Sequence, residues 1–186
     1  MSITAVPLAV EGCAELRLEP SIDRRGSFLK LFQTSAFRAA GIDLDVREIF
    51  ISRSHTGVVR GLHFQRPPAD VAKVVWCLEG TVIDAVVDLR SSSPTFRQHC
   101  LVELSAELAN AVHVPRGCAH GFLVTGGEAL VAYAQSGEHD PVREGGVLWS
   151  SAGIDWPVPA GRLAELTISD RDAAFPTLDQ LDGPFP

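Results

Sequence analysis

Three basic side chains able to bind an organic anion fall within fourteen residues: Arg60, His63 and Lys73. The first two lie in the run Gly57-Val58-Val59-Arg60-Gly61-Leu62-His63-Phe64-Gln65-Arg66-Pro67-Pro68, and Lys73 follows closely. Val58 and Val59 approach the polar cluster as an apolar strand, and Pro67-Pro68 stops it. Gly57 and Gly61 let the backbone turn or approach closely where a side chain would interfere. Strand alternation then puts His63 and Gln65 on one face and Phe64 on the other. Such a basic, aromatic-walled face suits an anionic organic ligand.

The rest of the chain reads as the elements that build a box around this strand. Residues 5–19 give two strands joined by a turn at Gly12, residues 21–26 a charged turn, and residues 27–33 a further strand. Thr34 or Ser35 caps a short helix that Gly41 ends. From Val46 to Ala134, short runs of Val, Ile, Leu and Phe alternate with Gly, Pro and Ser. Residues 71–78 and 81–89 flank Glu79-Gly80, which reads as a hairpin turn. Residues 95–104, 111–114, 121–125 and 129–135 continue the series. This spacing predicts an all-β antiparallel sandwich or barrel, of which a jelly roll is one solution. Trp149 and Trp156 are the expected anchors of a Pro- and Gly-rich tail.

A chain of 186 residues suits one domain with a sizeable core. The net charge of −7 argues against general nucleic-acid binding, so the basic residues around His63 stand out locally. Cys13, Cys77, Cys100 and Cys118 are widely spaced and form no Cys-x-x-Cys pair, as expected of small buried hydrophobes. The N-terminus shows no basic region followed by a long apolar run, and nothing approaches a membrane span. The expected location is the cytoplasm.

Pro115-Arg116-Gly117-Cys118-Ala119-His120-Gly121-Phe122 resembles the second motif of the cupin superfamily. The first cupin motif normally supplies a His-x-His pair and a glutamate for a metal; the corresponding strand here has His63 alone. Two distant histidines make a poor divalent site, so no metal is expected.

A more specific resemblance covers nearly the whole chain. Arg25-Gly26-x-Phe28, the Arg60 to Gln65 run, Pro67-Pro68, Lys73, Asp84, Val87 to Arg90, Ser93 to Phe96, the Pro115 to Phe122 run, Tyr133 and Ser169-x-Arg171-Asp172 occur in that order. Together they resemble the dTDP-4-dehydrorhamnose 3,5-epimerase family. The resemblance implies a cupin-type jelly roll and a homodimer, in which residues 3–10 could serve as a strand added to the partner's sheet. The implied substrate is a nucleoside-diphosphate 4-keto-6-deoxyhexose, and no cofactor is implied. The ketone acidifies the neighbouring ring hydrogens, so inversion needs a base, an enolate stabiliser and an acid on the opposite face. By resemblance His63 is the base with Asp172 behind it, Lys73 faces the enolate oxygen, and Tyr133 returns the proton. Tyr133 is the chain's one tyrosine. Asp172 could instead pair with Arg171, although neighbours on a strand face opposite ways. For the diphosphate the candidates are Arg25, Arg60 and Arg171, whose guanidinium forks match phosphate oxygens. Phe28 is a candidate wall for the nucleoside, and Gln65, His120 and Ser169 complete the substrate set.

Three residues depart from the family pattern. Lys30 stands where the family usually has Glu, Glu48 where it has Gln, and His139 where it often has Tyr. A carboxylate can only accept hydrogen bonds, so Glu48 would suit the N–H groups of cytosine or guanine better than thymine. This opens a CDP- or GDP-linked substrate as an alternative, unless Lys30 and Glu48 simply pair. The change at His139 leaves inversion of one or both ring centres open. The competing readings are a 3,4-ketoisomerase and a non-catalytic sugar-nucleotide-binding cupin; the intact set of His63, Lys73, Tyr133 and Asp172 favours the epimerase.

Overall fold

The computed structural model describes residues 2–158 and 162–185. Its strands are β1 (Ile3–Pro7), β2 (Ala14–Leu18), β3 (Ser21–Asp23), β4 (Gly26–Phe28), β5 (Glu48–Ser54), β6 (Val59–Gln65), β7 (Lys73–Asp88), β8 (His99–Ser105), β9 (Asn110–Val114), β10 (Cys118–Gln135) and β11 (Glu144–Gly146). Two short helices, α1 (Thr34–Ala39) and α2 (Asp170–Ala173), accompany them.

Two long strands, β7 and β10, run through both layers of a sandwich and pair antiparallel along their lengths. The first part of β7 pairs with β9, and its second part with β8. Likewise β10 pairs first with β6 and then with β5. One layer is therefore β1-β2-β9-β7-β10-β5 and the other β8-β7-β10-β6-β11. Register shifts near Gly80 and Gly126 mark the bends where each long strand passes between layers.

Glu79-Gly80 thus lies inside a continuous strand and is no hairpin turn. Gly80 has φ +76°, and a Cβ there would strike the backbone of Glu128. The glycine serves a bulge in a close strand crossing, a signal locally indistinguishable from a turn. In the same way 121–125 and 129–135 merge into β10. The expected strand from residue 27 stops at Phe28, because Ser21–Asp23 and Gly26–Phe28 form a small separate hairpin. The N-cap of α1 is Gln33 without a side-chain hydrogen bond, so neither Thr34 nor Ser35 caps it. Residues 3–7 of the 3–10 segment pair with β2 of their own chain, which makes β1 the edge strand of the sheet.

Alternation along the strands sorts apolar side chains into three layers. Val75, Cys77, Val82, Val86, Phe122, Val124 and Val131 fill the space between the sheets. Val74, Trp76, Ala132 and Ala134 face outward under Phe37 of α1 and Leu16 of β2. Leu62, Phe64, Val87 and Leu123 face outward on the other side, under the tail. Trp156 is buried there and donates from its indole N–H to the Trp149 carbonyl at 3.2 Å, as expected of tail anchors. All four cysteines are buried and free. Among the described residues no helix is long and apolar enough to cross a membrane.

Candidate active site

The same alternation that builds the inner core lines a cavity of about 370 Å³ at one end of the sandwich. Glu48, Phe50 and Ser52 enter from β5, His63 and Gln65 from β6, Lys73 from β7, and His120, Tyr133 and Gln135 from β10. Register explains the company they keep. His63 is the cross-strand partner of His120, Tyr133 of Phe50, and Gln135 of both Lys73 and Glu48. Gly61 and Gly121 allow β6 and β10 to meet here. A Cβ on Gly61 would sit 2.8 Å from the Gly121 Cα, and Gly61 has φ +113°.

His63 is held from behind. Its Nε2 lies 3.0 Å from Asp172 Oδ1, with Arg171 Nη2 3.1 Å away, and Asp172 Oδ2 accepts the Gly61 amide at 2.9 Å; because an ionised carboxylate only accepts, the ring proton is assigned to Nε2. That assignment leaves Nδ1 with the lone pair a base requires. Ser169 caps α2 by accepting the Asp172 amide at 3.1 Å, so its hydroxyl fixes the carboxylate's helix and does not line the cavity. Burial alone would raise the Asp172 carboxyl; the hydrogen bonds from His63 and the Gly61 amide outweigh it and hold the group far below the usual carboxylate range. Arg171 Nε also donates to Asp172 Oδ1, at 3.2 Å. The strand argument against an Arg171–Asp172 contact therefore fails, because the two residues sit in a helix; Asp172 serves both partners.

Tyr133 is buried, stacked on Phe50 with centroids 4.5 Å apart, and its hydroxyl lies 3.2 Å from Ser52 Oγ. Burial keeps this phenol protonated beyond its ordinary range. Lys73 is pulled the other way: burial lowers its ammonium to about 8, against the attraction of Asp84 and Glu144. His120 is buried with its Nε2 2.8 Å from Asp84 Oδ2.

The polar rim is tied together. Arg60 donates to Ser54 Oγ at 2.8 Å and to the Arg53 carbonyl at 3.2 Å. Arg171 and His139 both reach Glu144 Oε2, at 2.9 and 3.3 Å. Gln65 lines the cavity, yet its amide is occupied with the carbonyls of Ala69 and Glu138 and the amide of Asp140. It braces the loop that carries His139. Glu48 Oε2 accepts from Gln135 Nε2 at 2.6 Å and the His139 amide at 2.8 Å. Glu48 therefore has protein partners other than Lys30, and the simple Lys30–Glu48 pair is not formed.

Arg25, Phe28 and Lys30 are not brought to this cavity. The β3–β4 hairpin projects into solvent, Arg25 is bound to Asp23 at 2.6 Å, and Phe28 is 66% exposed. Sequence reading missed Phe50, Ser52, Gln135 and Glu144. Counting by twos from Glu48 along one strand finds the first two; Glu144 lies in an irregular tail with no such signal. A cavity with a carboxylate-backed histidine open to it, a phenol and a lysine can move protons at carbon next to a carbonyl. Among the described residues no group of three or more His, Cys, Asp or Glu is placed to hold a metal.

Comparison with known proteins agrees with this chemistry. The family model for dTDP-4-dehydrorhamnose 3,5-epimerase matches residues 7–180. The dTDP-4-dehydrorhamnose 3,5-epimerase of Mycobacterium tuberculosis is 40% identical over 177 residues, covering 94% of this chain and 87% of that protein. The crystal structure of the Legionella pneumophila dTDP-6-deoxy-D-glucose-3,5-epimerase in complex with dTDP-4-keto-L-rhamnose superposes with a TM-score of 0.91 at 31% identity, covering 99% of this chain and 97% of that one. A 3'-monoepimerase from Streptomyces bikiniensis in complex with dTDP-quinovose gives 0.85 at 35% identity, covering 93% and 87%. The fold is cupin-like and the protein an isomerase, a carbohydrate epimerase. The chain belongs to the dTDP-4-dehydrorhamnose 3,5-epimerase family.

Proposed function

We propose that this chain, as a single domain, epimerises a dTDP-linked 4-keto-6-deoxyhexose at the carbons flanking the ketone, in deoxysugar biosynthesis. The observation that carries the reading is His63, hydrogen-bonded to Asp172 at 3.0 Å, in one cavity with Lys73 and a buried Tyr133. His63 takes the ring proton through Nδ1, and Asp172 stabilises the resulting imidazolium. Lys73 faces the enolate oxygen as a fixed charge. Tyr133, kept neutral by burial, returns a proton from the other face. Arg60 and Arg171 at the rim are the diphosphate ligands. His120, Gln65, Glu48 and His139 shape the sugar and base ends, and no cofactor takes part.

The working unit is a homodimer in the cytoplasm. Ile22, Phe28, Ile49 and Ile51 are 76%, 66%, 70% and 62% exposed, apolar side chains that a second copy would cover. Arg25 and Phe28 on the exposed hairpin, and Lys30 just after it, bind substrate only if a partner brings them to a cavity. The names of the relatives favour thymine over the CDP- or GDP-linked alternative.

Product analysis tests the reading. Incubation with dTDP-4-keto-6-deoxyglucose, followed by borohydride reduction and sugar analysis, is expected to give epimers at C3, C5 or both. Competition among dTDP, CDP and GDP is expected to favour dTDP. An unchanged sugar, from folded protein, would sink the assignment.

A further inference from the structure

The cavity has a second carboxylate–histidine pair behind it. Asp84 is fully buried on β7, and its Oδ2 binds His120 Nε2 at 2.8 Å. The other oxygen, Oδ1, is buried without a hydrogen-bond partner among the described residues. A buried carboxylate with one oxygen unmet is uncommon and calls for a charge or donor nearby. Lys73, on the same strand, is the cation that answers. Asp84 is the carboxylate acting most strongly on it, ahead of Glu144.

We propose that Asp84 is a positioning residue for the enolate pocket. Its Oδ2 fixes His120 as the tautomer protonated on Nε2, and its unmet Oδ1 supplies the counter-charge that keeps Lys73 an ammonium ion. This rests on the epimerase reading for its purpose, though not for its electrostatics.

The charge around Lys73 leaves Asp84 this part. Glu144 from β11 and Glu48 from β5 are the other carboxylates lining the cavity, and both are hydrogen-bonded by rim groups: Glu144 by Arg171, Glu48 by Gln135 and the His139 amide. Arg60 and Arg171 are the other cations lining the cavity, and His63, His120, Tyr133 and His139 line the same space. Cys118, nearby on β10, has its thiol pushed up to about 12 and stays neutral. Burial drives His120 down and Asp84 up, each opposed by attraction to the other, which suits one proton held between them on the ring.

The chain has two lysines, Lys30 and Lys73, so protein carrying 13C-labelled lysine gives two side-chain signals. Titration without substrate is expected to show Lys73 changing near 8 and Lys30 in the ordinary lysine range, with Lys30→Arg giving the assignment. In Asp84→Asn the Lys73 midpoint is expected to fall by on the order of one unit. Glu144→Gln, at the rim, moves it less. The alkaline limb of kcat moves to lower pH with the Asn variant. Imidazole 15N spectra of the unmodified protein give a check that needs no variant to fold, with His120 expected as the Nε2–H tautomer. A Lys73 midpoint unchanged in folded Asp84→Asn, a larger shift in Glu144→Gln, or His120 protonated on Nδ1 would overturn the proposal. A shifted midpoint in a protein that turns over no keto sugar would support the Asp84 link and refute the epimerase reading.

Discussion

His63–Asp172 and His120–Asp84 are built from the same two residue types, with the two histidines on directly paired strand positions, yet their surroundings differ. Asp172 receives His63, the Gly61 amide and Arg171, and its carboxyl is driven far down. Asp84 receives His120 alone, fully buried, and is driven up. His63 is partly open to the cavity, whereas His120 is closed in. Identical chemistry thus yields a solvated, well-backed base in one place and a buried electrostatic brace in the other. Donor count and burial, rather than residue type, assign the roles.

Substitutions that separate the pairs should differ in size. His63→Ala removes the base, and kcat is expected to fall by about 10²–10⁴-fold. His120→Ala should cost less in a steady-state assay; an equal loss would erase the distinction drawn here. Asp172→Asn should lower kcat by about 10²-fold through the wrong His63 tautomer, with KM little changed. It should also alter acid stability. Asp172 has a folded pKa below its unfolded one, so its contribution is present above about pH 4 and lost as pH falls through the folded value. Urea midpoints against pH should therefore fall less steeply between about pH 4 and 2 in the Asn variant.

Lys73→Met separates function from stability. The folded ammonium is lowered from 10.5 to about 8, so below pH 8 the native state carries an unfavourable buried charge. Removing it should abolish turnover while stabilising the fold at pH 7 by on the order of 1–3 kcal/mol in urea denaturation. A destabilised variant would mean that Asp84 is left worse off than Lys73 is relieved. The smallest effect is expected from Glu48→Gln. Glutamine can still accept from Gln135 and His139, so dTDP affinity should change by less than about tenfold.

Much of this was legible from the chain itself. The alternation around His63 put His63 and Gln65 in the cavity and Phe64 among the outer apolar side chains, where its ring meets Phe185. The motif around His120 fell opposite His63 because the strands pair there. What escaped depends on distant contacts. Gly80 was read as a turn because positive φ serves a bulge equally well. The protein-bound state of the Gln65 amide and the Ser169 hydroxyl was also hidden, because a strut and a ligand use the same polar atoms. Arg25, Phe28 and Lys30 are candidates by motif alone, and no local pattern reveals that they stay outside the cavity of their own chain.

Solvent deuterium exchange tests the central claim most directly. The protein, His63→Ala and Tyr133→Phe would each be incubated in heavy water with dTDP-4-keto-6-deoxyglucose and followed by NMR. The account predicts label with inversion for the unmodified protein and no label for His63→Ala. For Tyr133→Phe it predicts label with little inversion, because deprotonation survives while delivery from the other face is lost. Label entering with His63→Ala at the unmodified rate would contradict the account, since another group would then be taking the proton.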